Sequence, residues 1–191
     1  MEYEKFDTAH LDHLNDPARL EDLDPEVMWD ALGKPAPDVI VEIGAGTGTF
    51  AETFARMAPG ATVYAADVEP AMVAWMTEHR ASTGAGAIRP VLAGETSVPL
   101  EDGIADLVVM VNLHHELAEP ASTYAEAYRL LRSGGAVMAV DWLPGSGGER
   151  PPERVRASAE TIACHLRAAG FVDVADHGML ERHSLVTGRR R

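Results

Sequence analysis

The sequence predicts an α/β protein: a mostly parallel sheet of seven strands, helices on both faces, and an antiparallel hairpin closing the C-terminal end. Three observations carry this expectation. Short apolar runs rich in β-branched residues alternate with stretches of helical periodicity, the pattern of strands joined by helical crossovers. The first run, Val39–Ile43, breaks into Gly44-Ala-Gly-Thr-Gly48, as a buried parallel strand does when it opens toward a ligand. The last two runs, residues 171–175 and 184–187, stand too close for a helical crossover and are expected to pair antiparallel.

Along the chain, Leu20, Leu23, Val27, Met28 and Leu32 fall at helical spacing within residues 17–32, which read as one or two helices ahead of the sheet. Lys34-Pro-Ala-Pro-Asp38 breaks the pattern. After the first strand a helix is expected over Thr49–Met57, ended by Pro59-Gly60. The second strand spans residues 62–66. The helix over 70–83 carries a proline suitably placed in its first turn and is stopped at 84–86 by glycines. The third strand is 88–93, and residues 94–103 have little helical periodicity. The fourth strand is 106–112, followed by a helix over 121–131 that Ser133-Gly134-Gly135 ends, and a fifth strand at 136–141. Residues 142–152, rich in Gly and Pro, form a loop; 158–169 form a helix closed by Gly170. This divides the chain into an N-terminal helical segment, residues 1–33, able to fold over the cleft as a lid with Tyr3, Phe6 and Trp29, and a main domain, residues 34–191.

With 191 residues and 46% apolar content, the chain suits one sizeable core. A net charge of −14 repels phosphates, so no nucleic-acid partner is expected; the three arginines at 189–191 read as a solvated tail. Charges or glycines interrupt every apolar run before the roughly 18 residues a membrane span needs, so no membrane span is expected. The first residues have no basic-then-apolar layout, so no secretory signal is expected. The single cysteine, Cys164, forms no disulfide within the chain and fits a cytoplasmic protein.

The glycines allow a sharp turn and close approach of backbone to ligand. Glu42, where the strand opens, can face a cationic group. A dinucleotide fingerprint would need its third glycine at position 49, which is Thr49, and no Lys-Ser/Thr pair follows to make a phosphate-cradling loop. With an acid two positions before the first glycine and Asp67 closing the second strand, the arrangement resembles the class I S-adenosylmethionine-dependent methyltransferases. Residues 105–116, 127–135 and 166–171 add to the likeness, in particular to small-molecule enzymes of ubiquinone, menaquinone and arsenite methylation. The lone Cys164 departs from the several cysteines that arsenite chemistry uses.

That resemblance implies a Rossmann-like fold with S-adenosylmethionine as cofactor. Glu42, Gly44, Ala45, Gly46 and Gly48 would then hold the amino-acid end. Asp67, about 20 residues past the glycines, would meet the ribose hydroxyls with Val68 beside it; an N-cap of the next helix is the other role open to Asp67. Glu95, where the family often has an acid after strand three, would approach adenine, and Asn112 would line the cleft, although a strand-ending Asn is also a routine turn residue. Methyl transfer is an in-line displacement needing alignment above all, and a sulfonium needs no metal to activate it. If the small-molecule acceptor must lose a proton, His114 or His115, just after strand four, or Asp141, at the end of strand five, is the candidate base. On an extended segment only one of the two histidines can face the cleft. The loop over 142–157 would form the other wall, where Arg150, Arg154 and Arg156 either meet an acidic substrate or are simply solvated. Two other classes stay open. A short-chain oxidoreductase is disfavoured by the glycine spacing and by Tyr128 in place of Lys four positions after Tyr124. A non-catalytic protein that binds S-adenosylmethionine or its demethylated product is compatible with every motif named. The oligomeric state has no signature in the sequence.

Overall fold

The computed structural model describes residues 14–33, 36–80, 87–148 and 151–191. Two short helices, α1 (Arg19–Asp22) and α2 (Pro25–Ala31), come first. Asp24 starts α2 by accepting the Glu26 N–H, and Pro25 presets the first helical φ. Met28 and Trp29 are buried, with the Trp29 ring 5.9 Å from Phe54, centroid to centroid; Trp29 is therefore part of the core. Tyr3, Phe6, Lys34, Pro35, residues 84–86 and Arg150 lie outside the described residues.

The sheet follows. β1 (Val39–Ile43), β2 (Thr62–Asp67), β3 (Ala87–Leu92), β4 (Ala105–Val111) and β5 (Leu131–Trp142) are parallel, with α3 (Thr49–Met57), α4 (Pro70–His79) and α5 (Pro120–Leu130) among them. α6 (Ala159–Ala168), capped by Ser158 accepting the Thr161 N–H at 3.1 Å, leads to β6 (Val172–Asp176) and β7 (His183–Arg189). Neighbours run β3-β2-β1-β4-β5-β7-β6, and β7 is antiparallel to both β5 and β6. Seven strands with a C-terminal antiparallel pair match the sequence expectation. β1 pairs with β2 on one side and β4 on the other, so strand order reverses between β1 and β4, and a crevice opens beyond their carboxyl ends.

Both faces of the sheet are covered. Ile40, Val63 and Val109 pack with Phe50, Phe54, Met76 and Trp29 on one face; Val41, Val108 and Met110 pack with Tyr124, Ile162 and Leu166 on the other. Each of the large side chains buried here contributes about 1.5–3 kcal/mol.

One boundary departs from expectation. The glycines at 134 and 135 do not separate helix from strand: β5 begins at Leu131, directly after α5. Leu131 pairs with Ala105, then the register shifts and Ala136 pairs with Leu107. The extra residues form a bulge around Gly134 (φ +79°), and a Cβ on Gly135 would stand 2.9 Å from the Arg132 carbonyl oxygen. Glycine here shapes a strand and does not end one. β7 also extends beyond 184–187 at both ends, because its backbone is paired with β5 along its whole length.

Candidate active site

The crevice holds a cavity of about 470 Å³ whose walls come from the ends of β1, β2 and β4, the loop after β3, and the N-terminal segment. Glu42, Gly44, Ala45, Gly46, Asp67, Val68, Glu95 and Asn112 all line it. Gly48 stands behind the turn as N-cap of α3 at φ +72°.

The glycine turn is pinned by β2. The N–H groups of Gly44 and Ala45 donate to the Ala66 carbonyl at 2.9 and 3.0 Å. Gly44 adopts φ +75°, and a Cβ there would approach Leu113 Cδ1 to 2.6 Å. Gly46 (φ +55°) donates its N–H to Asp67 Oδ2 at 2.7 Å, while Asp67 Oδ1 accepts from the Glu69 N–H at 2.9 Å. Asp67 is thus not the cap of α4, a position held by Glu69. Each oxygen of Asp67 has one N–H and spare lone pairs for a pair of neighbouring hydroxyls. Burial raises its pKa, against the two N–H bonds that lower it.

Glu42 is 1% exposed, and its Oε2 has no hydrogen-bond partner. Burial lifts its pKa to about 8, with the Arg19 charge opposing. Asn112, at φ +56°, likewise leaves Oδ1 buried and unpaired. Two orphaned acceptors in one wall call for a ligand rich in donors, since an unmet buried acceptor is costly.

The histidines sit differently from expectation. Residues 114–116 form a single 3-10 turn and not an extended segment, so the two rings diverge, and neither lines the cavity. His114 Nδ1 lies 3.0 Å from the Tyr124 hydroxyl, its ring 5.4 Å from that of His165, and burial lowers its pKa to about 4. His115 is tied to the fully buried Asp141, Nδ1 to Oδ1 at 2.9 Å. Burial lowers His115, but the bonds to Asp141 and Glu116 prevail and raise it to about 9. Its Nε2 stands 3.6 Å from Glu116 Oε1. Glu116, next in sequence to the histidines, does line the cavity, as do Arg19, Glu119 and Thr123. Proximity to the two histidines pointed to Glu116; nothing local marks Arg19, which arrives through packing of α1.

Of the arginines in the 142–157 loop, Arg150 lies outside the described residues, Arg154 is exposed as a solvated residue would be, and Arg156 takes neither expected role. The Arg156 side chain is 1% exposed. Its Nε donates to the Pro151 carbonyl, Nη1 to Ser146 Oγ and the Gly147 carbonyl, and Nη2 to the Gly148 carbonyl, with the guanidinium 5.6 Å from the Trp142 ring centre. It builds the loop and is neither free for a substrate nor solvated.

The methyltransferase domain family model matches residues 41–139, more than half of the chain's 191 residues. The chain belongs to the S-adenosylmethionine-dependent methyltransferases. Within this family it is 28% identical over 131 residues to demethylmenaquinone methyltransferase of Thermus thermophilus, a match covering 66% of this chain and 59% of that protein. It is 30% identical over 138 residues to acetylserotonin O-methyltransferase of Rattus norvegicus, covering 70% of this chain and 30% of that protein. The chain therefore spans less than two thirds of the length of these curated relatives. The crystal structure of a methyltransferase from Aquifex aeolicus superposes with a TM-score of 0.84 at 26% identity, covering 96% of this chain and 98% of that one. Among the described residues no helix of this methyltransferase is long and apolar enough to cross a membrane.

The cavity fits the family's cofactor by its own chemistry. Glu42 Oε2 and Asn112 Oδ1 want donors, which an ammonium supplies, and Asp67 has room for two hydroxyls.

Proposed function

We infer that this protein transfers the methyl group of S-adenosylmethionine to a small-molecule acceptor. The observation that carries this reading is Glu42, a carboxylic acid 1% exposed with an unpaired oxygen, sharing one cavity with Asp67 beneath the glycine turn. The likeness to a demethylmenaquinone methyltransferase and an acetylserotonin O-methyltransferase supports the acceptor class.

When bound, S-adenosylmethionine supplies a methyl group on a positively charged sulfur; alignment and proton handling fall to the chain. Glu42 and Asn112 would receive the ammonium, Asp67 would take the ribose hydroxyls, and Val68 and Glu95 would flank the adenine. Apolar walls from Phe50, Met72 and Leu113 exclude water. The chain's part would be to align the acceptor with that methyl group and to receive the acceptor's proton. Glu116 takes the proton of a hydroxyl or ammonium acceptor. His115 and Asp141 act behind it as positioning residues: Asp141 Oδ1 holds His115 Nδ1 at 2.9 Å, and His115 Nε2 stands 3.6 Å from Glu116 Oε1.

Calorimetric titration with S-adenosylhomocysteine, with NADH as control, tests the cofactor reading; transfer of labelled methyl to a panel of phenols, amines and carboxylic acids tests the activity. Binding of S-adenosylhomocysteine alone, followed by label on a panel member, is expected. Binding of NADH in its place would overturn the reading. A second reading, a protein that binds the cofactor without transferring its methyl, is favoured by the absence of any histidine from the cavity wall among the described residues; tight binding with no transfer to any panel member supports it.

A further inference from the structure

The first three N–H groups of the glycine turn are held by β2: Gly44 and Ala45 by the Ala66 carbonyl, Gly46 by Asp67. The last two residues, Thr47 and Gly48, meet a different partner. Arg80 is the C-cap of α4, its backbone N–H donating to the Met76 carbonyl at 2.8 Å. Its side chain runs behind the turn, and a Cβ on Gly48 would stand 3.4 Å from Arg80 Cγ. Nε donates to the Thr47 carbonyl at 3.1 Å, Nη1 to Glu52 of α3, and Nη2 to Asn15 Oδ1 at 2.9 Å. The guanidinium lies 5.1 Å from the centre of the Trp75 ring of α4. One planar group thus joins the glycine turn, α3, α4 and the residues ahead of α1. The Arg80 side chain is 17% exposed and that of Glu52 15%, so the pair is largely out of solvent, where the fork holds its acceptors at fixed angles. Neither Arg80 nor Glu52 is among the described residues that line the cavity.

We propose that Arg80 is a positioning residue for the cofactor: by fixing Thr47 it holds the glycine turn in its binding place before the ligand arrives. This rests on the cofactor reading above and adds to it a residue outside the cavity wall. The turn offers a ligand its backbone, and Gly44, Gly46 and Gly48 all adopt positive φ, so an unheld turn has many conformations open to it. A guanidinium that selects one of them removes an ordering cost that binding would otherwise bear.

The contacts divide the work. β2 shapes the first half of the turn, and Arg80 sets where the second half sits against α3 and α4. The arm to Asn15 extends the hold to the chain ahead of α1, where Leu14 Cδ1 lies 3.2 Å from the position of a Cβ on Gly46 and the Leu14 carbonyl accepts the Thr49 hydroxyl at 3.1 Å. If Arg80 served only as the ion-pair partner of Glu52, its charge alone would matter. Three acceptors on three segments make its shape matter as well.

The test separates charge from shape. Arg80→Lys keeps a cation beside Glu52, but its one nitrogen cannot serve Thr47, Glu52 and Asn15 together. It is expected to bind S-adenosylhomocysteine about tenfold more weakly than wild-type protein by calorimetry, the scale of one charge-assisted contact. Glu52→Gln removes the charge and keeps an oxygen to accept Nη1, and should bind as wild-type protein does. In the ligand-free proteins, hydrogen exchange at the Gly46 and Gly48 amides should be faster in Arg80→Lys than in wild type, with β4 and β5 unchanged; a general loss of stability would not be confined to the turn. Wild-type affinity in Arg80→Lys, an equal loss in Glu52→Gln, or exchange that quickens as much in β4 and β5 as in the turn would overturn the assignment. Failure of wild-type protein to bind S-adenosylhomocysteine at all would instead remove the cofactor reading beneath it.

Discussion

Folding leaves one oxygen of Glu42, Oε2, without a partner, and this makes Glu42 a reporter as well as a binding residue. With a pKa of about 8 it is protonated at pH 7 in the ligand-free protein. An ammonium placed against it favours the charged form, so binding should expel a proton. Titration with S-adenosylhomocysteine at pH 7 in two buffers of different ionisation enthalpy should therefore give different heats; identical heats would sink the pairing. Asp67 differs, since both its oxygens already hold N–H groups and steady the glycine turn. Asp67→Ala should weaken binding of the same ligand by about 1–3 kcal/mol, the worth of hydrogen bonds to a charged acceptor, and unchanged affinity would refute the ribose contact. Glu42 and Asp67 were legible in the sequence because position along a strand decides which side chains reach its carboxyl end. The histidines were half legible. Their place after β4 was readable, but the 3-10 turn that directs one ring to Tyr124 and the other to Asp141 depends on partners 10 and 26 residues away, which no local pattern encodes.

The glycine turn joins β1 to α3, and its shape comes from two sources: positive φ at Gly44, Gly46 and Gly48, and the Ala66 carbonyl across the sheet. Gly46→Val puts a β-branched residue at φ +55°, at a cost of about 1–2 kcal/mol, and the added Cβ meets only a flexible Leu14 methyl. The variant should still fold, with a modestly lower melting temperature, but lose calorimetrically detectable S-adenosylhomocysteine binding. Retained binding would mean that the backbone there does not approach the ligand. Among the elements, the alternation of strands and helices was plain from apolar periodicity, and Ser158 and Pro70 marked helix starts as their chemistry requires. β5 was misjudged because glycine in a bulge and glycine at a helix stop look alike in one dimension; only the pairing of Leu131 with Ala105 distinguishes them.

At the scale of the whole molecule, buried ionisable groups set a pH optimum for stability. Burial holds His114 and His183 near 4, below the ordinary value of 6.5, so between about 6.5 and 4 the unfolded chain binds protons that the folded one does not, and acid destabilises. Glu42, raised from 4.5 to about 8, contributes stability that is complete below 4.5 and lost as pH rises through 8. His115, raised from 6.5 to about 9, contributes stability that is complete below 6.5 and lost as pH rises through 9. Below 6.5 the two histidines outweigh Glu42; above it Glu42 and His115 act together. The melting temperature of the ligand-free protein should peak near pH 6.5 and decline on both sides, and a steady rise from 6.5 to 9 would contradict the assignment of these groups. The strand order has a consequence for synthesis. β6 pairs with β7, and β7 fills the gap beside β5, yet β7 is the last of the seven strands to leave the ribosome. Until residue 189 has cleared the exit tunnel, the edge of β5 stays bare and β6 has no neighbour in the sheet. The nascent protein thus passes through a stage in which five strands can assemble around an unpaired edge open to other chains.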